Sequence, residues 1–361
     1  MNGADSTSSY PIVNSSNEWD PLEEIIVGVL DGACVPAWHV TLQSTMPEGQ
    51  WDFYRKFQGK PFPQEQIEAG NRDLAEFVHI LEAEGVTVRR PEVVDHSKPY
   101  STPEWQSSGL YSAMPRDGLL VIGDEIIETP MAWRSRYFEA SSYRPLLKYY
   151  FNNGAKWSAG PKPQLSDDLY DYNYECPADE DAKRFVITEF EPTFDAADFI
   201  RCGVDIFAQR SNVTNRFGIE WLRRHLGDRY RIHEIALNDS HAMHIDATLL
   251  PLAPGKLLVN PEKVPKIPGM FKGWEIFYAP QPCLPDSQVL YMTSKWISMN
   301  VLMLDEERVI VEKHEEPLIR ALKNWGFKPI PCSFRNFNVF GGSFHCATLD
   351  IRRRGKLQSY F

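Results

Sequence analysis

Apolar and polar residues alternate along the chain in a pattern that occurs five times. Each occurrence predicts an amphipathic helix, a stop at or near a glycine and then a short alternating strand. Glycine suits the left-handed conformation that ends many helices. The five stops are Gly85, Gly154, Gly227, Gly273 and Gly326. The first helix is predicted at residues 74–85 and the last at residues 318–326.

An apolar strand precedes each predicted helix, at residues 25–28, 119–123, 205–208, 256–259 and 309–311. Five strand-helix-strand units indicate one closed, pseudo-repetitive α/β domain over residues 1–361, because each unit alone leaves an apolar face open. Residues 1–16 are expected to be a flexible N-terminus. The alternative is an ordinary doubly wound α/β sheet. Since no GxGxxG or GxxxxGK[ST] motif opens a helix, a nucleotide-dependent enzyme is not favoured.

Composition limits the classes of function. The 361 residues carry a net charge of -11, which argues against binding to nucleic acid, and the basic run at 352–354 fits an electropositive site or an ion-paired strand end. No stretch of about 18 apolar residues predicts a membrane span. The N-terminus lacks a signal or transit pattern. Six cysteines without CxxC pairing point to reduced thiols and a cytoplasmic protein.

The candidate nucleophile is Cys346, which follows Gly341 and Gly342. Two consecutive glycines permit a tight turn that exposes a cysteine to a ligand. A lone cysteine is more often a small buried apolar residue, so this segment alone is a weak signal. If the segment is a strand, His345 points away from Cys346.

Three further segments carry candidate acid-base groups. If residues 243–248 form a strand, His244 and Asp246 share one face and converge on one ligand. The alternative is a structural His-Asp pair. Asp195 lies in an acidic segment around Ala196 and Ala197 and alternatively begins a helix as its N-cap. Asp117 lies in a sequence typical of a turn.

Together these residues suit chemistry on a guanidinium group. The group is planar and permanently cationic, so the carboxylates of Asp117 and Asp246 can bind its nitrogens while a Cys346 thiolate attacks its carbon. The thiolate needs a nearby cation, which is His244 or the substrate itself. His244 would protonate the departing amine, with Asp195 fixing the imidazole.

Long blocks of the sequence resemble the amidinotransferase family, most closely the arginine:glycine amidinotransferases. They extend over nearly the whole chain, at residues 17–24, 111–117, 130–136, 194–201, 294–296 and 352–360. Residues 185–201 and 342–360 are also similar to bacterial natural-product amidinotransferases of the saxitoxin-pathway type, whose acceptor is a larger amine.

The resemblance implies a pentein fold, a pseudo-fivefold, five-bladed α/β propeller, and a homodimer without metal or cofactor. It also implies a ping-pong reaction in which Cys346 takes the amidino group of L-arginine, ornithine leaves and an acceptor amine collects the group. The family's catalytic residues fall on Asp195, His244 and Cys346, and its guanidinium-binding carboxylates on Asp117 and Asp246. Glycine is the expected acceptor and guanidinoacetate the expected product.

The resemblance has departures at the substrate-binding positions. Lys263 stands where the family has an arginine for the substrate carboxylate, and Thr293 replaces the first of two serines, with Ser294 retained. His241 replaces an asparagine of the glycine-using enzymes, although Met243 matches them. Lysine or a biosynthetic intermediate could therefore replace glycine as acceptor. Two further functions fit the same residues: hydrolysis to citrulline, as in arginine deiminases, and arginine binding without activity.

Overall fold

Short apolar runs form most of the strands. The structure, a computed structural model, describes residues 11–176, 184–239, 241–264, 266–285 and 287–361. In chain order the strands of this part are β1 (Leu22–Val27), β2 (Val29–Cys34), β3 (Thr87–Arg89), β4 (Tyr100–Ser101), β5 (Gln106–Ser107), β6 (Leu110–Ser112), β7 (Leu119–Ile122), β8 (Glu125–Glu128), β9 (Lys156–Ala159), β10 (Phe199–Cys202), β11 (Asp205–Ala208), β12 (Arg231–Glu234), β13 (Leu249–Ala253), β14 (Lys256–Val259), β15 (Glu275–Tyr278), β16 (Leu302–Met303), β17 (Arg308–Glu312), β18 (Lys328–Cys332) and β19 (Thr348–Arg353).

The main strands form five three-stranded sheets of one topology. In each sheet the central strand pairs antiparallel with one neighbour and parallel with the other. From first to fifth, the sheets are β19-β1-β3, β7-β8-β9, β10-β11-β12, β13-β14-β15 and β16-β17-β18, and two-stranded pairs β2-β6 and β4-β5 are added. Since no sheet in the described ranges exceeds three strands, the doubly wound alternative is wrong.

Helices connect the central strand of a sheet to its parallel neighbour in four of the five units. The α-helices of the described residues are α1 (Val40–Thr45), α2 (Trp51–Phe57), α3 (Gln64–Ala83), α4 (Pro115–Gly118), α5 (Arg144–Asn152), α6 (Arg216–Leu226), α7 (Glu316–Asn324) and α8 (Arg335–Asn338). The connecting helices are α3, α5, α6 and α7, each followed within two residues by one of the predicted glycine stops. All five of the predicted glycine stops have positive φ, a conformation that glycine adopts at little cost.

The fourth unit differs from its prediction. Gly273 follows only a short 3-10 turn at Gly269–Phe271, so the amphipathic helix expected here is wrong. The segment contains Pro261, Pro265 and Pro268. Proline lacks the backbone N–H and its ring obstructs the preceding turn, so helical spacing of apolar residues is not enough.

The predicted strand of the second unit is an outer strand. The strand predicted at residues 119–123 corresponds to β7, whereas the central strand is β8. The sequence pattern missed β8 because glutamates stand at both of its ends. The other four predicted strands coincide with central strands β1, β11, β14 and β17. When both strands of a hairpin are buried, their apolar content does not show which of the two is the central strand of the sheet.

The N-terminal prediction is too long. Val13 and Ser15 are fully buried, and Ser15 pairs with Gly123 through two backbone hydrogen bonds of 2.9 and 2.7 Å. Flexibility predicted for residues 1–16 is therefore wrong for this part, and residues 1–10 lie outside the described residues.

The basic run at 352–354 is an ion-paired strand end. Arg352 contacts Glu23 at 2.9 Å, and Arg353 is buried against Asp350 at 2.8 Å. The second of the two predicted interpretations is confirmed, since these charges are already neutralised. Across the described ranges, every helix is too short or too polar to cross a bilayer.

A group of buried charges occupies the centre, and we call Glu18, Arg116, Arg201, Asp350 and Arg353 the central ion cluster. Arg201 of β10 binds Glu18 through two hydrogen bonds of 2.8 and 2.7 Å. The same guanidinium donates to Asp350 of β19 at 2.8 Å and to the Val121 carbonyl of β7 at 3.3 Å. One side chain thus joins the first, second and third sheets.

The cluster reaches the fifth sheet through Arg353. Its guanidinium donates to Asp350 at 2.8 Å and to the Met303 carbonyl of β16 at 2.9 Å. Arg116 of α4 donates to the other Asp350 oxygen at 2.7 Å. These pairings hold the pKa of Asp350 well below its ordinary value even though burial opposes the charge. A buried ionised carboxylate without them would be strongly destabilising.

Replacing Arg201 by methionine should lower the free energy of unfolding by about 3–5 kcal/mol, because Glu18 and Asp350 lose a buried partner. Urea titration followed by circular dichroism measures the change. The matched control is Arg224→Met, since Arg224 is 79% exposed beside Glu220, and its unfolding midpoint should stay close to that of the original protein. Equal losses in both variants would contradict a central role for the cluster.

Candidate functional site

Cys346 lies at the end of a turn that requires glycine. Gly341 has φ of +95°, and a Cβ atom there would lie 2.5 Å from the Met292 side chain. A Cβ atom at Gly342 would lie 2.4 Å from the Met114 sulfur and 2.8 Å from the Cys346 Cβ. The glycines therefore let the chain pack closely around the cysteine, which is buried.

His345 and Cys346 reach the same carboxylate. The segment around them is a turn, and β19 begins only at Thr348. The His345 Nδ1 atom is 2.8 Å from Asp246 Oδ2, and the Cys346 sulfur donates to the same oxygen at 3.4 Å. The condition for opposite orientations, a strand at this segment, is not met, and a turn does not alternate its side chains between two faces.

His244 also lies outside a strand. It has φ of +65° and precedes a 3-10 turn at Ile245–Ala247, so residues 243–248 do not form the strand that would place His244 and Asp246 on one face. A side chain other than glycine is uncommon at positive φ. The resulting bend brings His244 Nε2 to 3.0 Å from Asp195 Oδ2, and Nδ1 to 3.6 Å from Asp117 Oδ1.

Asp195 and Asp117 complete the group of side chains around Cys346 and His244. The sequence predicted the local structure at each residue only in part. Asp195 precedes the 3-10 turn Ala196–Asp198 but makes no side-chain cap hydrogen bond, so the N-cap alternative does not explain it. Asp117 lies on α4, a four-residue helix where a turn was expected. Both carboxylates are buried.

Each of the three carboxylates around Cys346 has one oxygen without a hydrogen-bond partner among the described residues. These atoms are the Oδ1 oxygens of Asp117, Asp195 and Asp246. Buried polar atoms are normally paired, and buried charges almost always are. The group therefore suits a ligand with several N–H donors and a positive charge.

A cavity of about 380 Å³ lies over the cysteine. Six of the seven residues predicted for substrate or acceptor binding line it, all except Asp117: Asp246, Lys263, Thr293, Ser294, His241 and Met243. His244 and Cys346 also line it. Asp117 and Asp195 contact His244 without lining the cavity. Lys263 is held by Asp239 at 2.6 Å, an ion pair that the sequence did not reveal.

Comparison with known proteins gives one consistent answer. The chain is 62% identical over 348 residues to an L-arginine:L-lysine amidinotransferase of Pseudomonas savastanoi pv. phaseolicola, covering 96% of each chain. It is 51% identical over 357 residues to a mitochondrial glycine amidinotransferase of Danio rerio, and the match covers 97% of this chain and 85% of the relative. The solved structure of an amidinotransferase of the saxitoxin pathway of Microseira wollei matches with a TM-score of 0.94 and 58% identity. The match covers 97% of this chain and 100% of that structure. No family model matches. The chain belongs to the amidinotransferase family.

Two buried residues of this amidinotransferase were missed as parts of the site. Arg136 donates to Asp117 Oδ2 at 2.8 Å and lies 3.8 Å from Asp195. Asn300 accepts the backbone N–H of Cys346 at 3.0 Å and so fixes the turn. Arg136 stands in a family block, but nothing in its spacing assigns a role. The Asn300 contact depends on tertiary structure alone.

Burial and neighbouring charges set the resting protonation of the amidinotransferase site. Burial raises the pKa of the Cys346 thiol to about 12, and the Asp246 carboxylate adds to the rise. Burial alone disfavours an imidazolium at His244, but the Asp117 charge and the Asp195 hydrogen bond raise its pKa well above its ordinary value. The resting site therefore holds a neutral thiol beside an imidazolium.

The same donor atoms could hold a metal ion. Asp117, His244 and Cys346 each offer one ligand atom within 4.8 Å of the others, and these are ligand types that zinc accepts. An ion there would occupy the groups that thiol chemistry requires. That no metal or cofactor takes part stays a prediction.

Asp246→Asn should speed alkylation of Cys346 by iodoacetamide by about tenfold or more at a given pH, because removing the adjacent charge lowers the thiol pKa. Mass spectrometry of the Cys346 peptide, followed against pH, measures the rate. The exposed Cys176 and Cys283 are internal references. Identical pH profiles for the two proteins would show that Asp246 does not influence the thiol.

Proposed function

We propose that the protein transfers the amidino group of L-arginine to an acceptor amine through a covalent intermediate on Cys346. The observation that carries the proposal is the convergence of a thiol, an imidazole and three buried carboxylates with unpartnered oxygens. Such a group suits one ligand class, a planar cation rich in N–H donors.

The first step is binding of the guanidinium group. Asp117 and Asp246 accept its N–H groups through their free Oδ1 oxygens, by charge-assisted hydrogen bonds that hold the plane of the group. Lys263, Thr293 and Ser294 line the cavity over Cys346, as Asp246 does, and bind the amino-acid end of arginine. Lys263 keeps a positive charge for the substrate carboxylate, although it lacks the two-pronged geometry of arginine.

The substrate itself activates the nucleophile. Burial and Asp246 hold Cys346 in its thiol form. A bound guanidinium neutralises the nearby carboxylates and places a cation beside the sulfur, so the thiol pKa falls and its proton leaves to solvent. The thiolate then attacks the guanidinium carbon and forms a neutral tetrahedral intermediate.

His244 moves the proton that completes each half of the reaction. Its imidazolium protonates the substrate nitrogen as the carbon-nitrogen bond breaks, so ornithine leaves and the amidino group stays on Cys346. The neutral imidazole then takes a proton from the attacking acceptor amine, and the thiolate leaves as the new carbon-nitrogen bond is completed. Asp195 orients the imidazole through the 3.0 Å contact.

We propose lysine as the acceptor. The 62% identity to an L-arginine:L-lysine amidinotransferase exceeds the 51% identity to glycine amidinotransferases. Lysine resembles arginine in length, so the same cavity residues that bind the amino-acid end of the donor can bind the acceptor. His241, which departs from the glycine-using enzymes, lies in this cavity. Glycine, the acceptor expected from the sequence, stays a prediction and is the rival.

The architecture is proposed to be the pentein propeller. Five sheets of one strand order support five blades, and the pairing of β19 with β1 joins the last unit to the first. One domain over the described chain agrees with the central ion cluster, which links four of the sheets. A homodimer and a cytoplasmic location stay predictions.

Incubation with L-arginine alone should leave an amidino group on Cys346, because no acceptor is present to remove it. Intact-protein and peptide mass spectrometry detect the adduct. Cys346→Ser should lose the adduct and lower ornithine formation roughly a thousandfold or more. Cys283→Ser is the control, since Cys283 is exposed and does not line the cavity. A folded, unmodified protein with no adduct would overturn the covalent route.

Lysine should exceed glycine as acceptor by about tenfold or more in kcat/KM, because a longer substrate uses the whole cavity. Ornithine release with each amine, and chromatography of the amidinated product, measure the ratio. His241→Asn should lower the preference for lysine. Guanidinoacetate as the main product would favour the glycine rival, and citrulline without any acceptor would favour a hydrolase.

A further inference from the structure

His345 is buried between two carboxylates. Its Nδ1 atom is 2.8 Å from Asp246 Oδ2, and its Nε2 atom is 3.1 Å from Glu18 Oε2. The side chain is 3% exposed. It therefore connects the central ion cluster, through Glu18, to the carboxylate beside Cys346.

The contacts define the protonation state of the ring. A neutral imidazole has one N–H donor and one lone pair, whereas an imidazolium has two donors. Both ring nitrogens of His345 face carboxylate oxygens, which accept when they are ionised. A neutral ring would direct a lone pair at one of them, so two ionised carboxylates favour an imidazolium between them.

We propose that His345 is a positioning residue that holds Asp246 ionised and directs its Oδ1 atom at the guanidinium group of the substrate. The inference rests on the proposed function, since it assigns Asp246 to guanidinium binding. His345 touches neither the sulfur nor the cavity and acts only through Asp246.

The two guanidinium-binding carboxylates are held in the same manner. His345 donates to Asp246 Oδ2 at 2.8 Å, and Arg136 donates to Asp117 Oδ2 at 2.8 Å. In both residues the Oδ1 atom has no partner among the described residues. A buried cation behind each carboxylate thus opposes the cost of its burial and leaves the other oxygen for the ligand. The pKa of Asp246 falls below its ordinary value, whereas burial keeps the pKa of Asp117 above it.

His345 stabilises the ionised form of Asp246. Burial opposes the Asp246 charge, but the hydrogen bond and charge of His345 lower the pKa of this carboxyl below its ordinary value. The ionisable groups around the ring and its partners are Glu18, Arg116, Arg201, His244, Asp246, Cys346 and Asp350. Without His345, the pKa of Asp246 rises and acid neutralises the carboxylate earlier.

Two substitutions of His345 test the contacts of its two ring nitrogens separately. In His345→Asn the amide nitrogen can take the place of Nδ1 and keep the bond to Asp246. In His345→Gln the longer side chain can take the place of Nε2 and keep only the bond to Glu18. His314→Gln is the matched control, because His314 pairs with Glu312 at 2.8 Å but is half-exposed and outside the site.

Single-turnover labelling of Cys346 over a range of arginine concentrations and pH gives the readout. His345→Gln should raise the arginine concentration for half-maximal rate by about 10- to 100-fold, the usual effect of losing a hydrogen bond to a charged group. The value should rise more steeply as pH falls than it does in the original protein, because Asp246 then takes up a proton as well. His345→Asn should show a smaller rise, and His314→Gln none.

The inference would be overturned if His345→Gln left the arginine dependence of labelling unchanged. It would also be overturned if both His345 variants lost the same amount of arginine affinity and these losses followed their unfolding free energies. Absence of the adduct in the unmodified protein would instead overturn the proposed function. Nitrogen NMR of protein with labelled histidine reports the protonation of the His345 ring directly. It requires neither an activity assay nor a variant that folds. Two protonated ring nitrogens at neutral pH are expected, and one bare ring nitrogen facing a carboxylate would refute the imidazolium.

Discussion

Buried charges at the centre of this amidinotransferase must all be paired, and this constraint determines how the five sheets meet. Arg201, Asp350 and Arg353 bind groups from the first, second, third and fifth sheets. His345 extends the pairing to Asp246, which stands just ahead of the fourth sheet. Because removing one member of such a group leaves an uncompensated charge, the arrangement of the sheets and the ionisation of the cluster depend on each other.

The same constraint reaches the candidate site. Asp246 and Asp117 are too deeply buried to remain ionised unaided, and each is bound from behind by a cation, His345 or Arg136. The remaining Oδ1 oxygen of each carboxylate has no hydrogen-bond partner among the described residues. Charges that define the architecture thus also prepare the site, which is why residues far from the sulfur influence its chemistry.

The sequence predicted the residues of the site better than the path of the backbone through it. Residue type together with the family resemblance identified Cys346, His244 and Asp246, and these do come together. A strand was one possibility at His244, but the residue has a positive φ and precedes a 3-10 turn. Arg136 and His345 depend on partners far away in sequence, and no periodic pattern encodes such contacts. The missing fourth helix shows a similar limit, since its prolines overrule the apolar spacing.

A thiol that is neutral until its substrate binds has a physical advantage in this site. Cys346 lies beside Asp246, whose charge opposes the thiolate as long as the carboxylates lack a cationic ligand. The charge that makes Asp246 a good guanidinium acceptor is therefore the charge that keeps the nucleophile inactive. Binding of a cation reverses both effects at once, because one ligand satisfies the carboxylates and stabilises the thiolate. Neutral molecules that enter the cavity bring no such charge, so activation of the sulfur is itself a test of substrate identity.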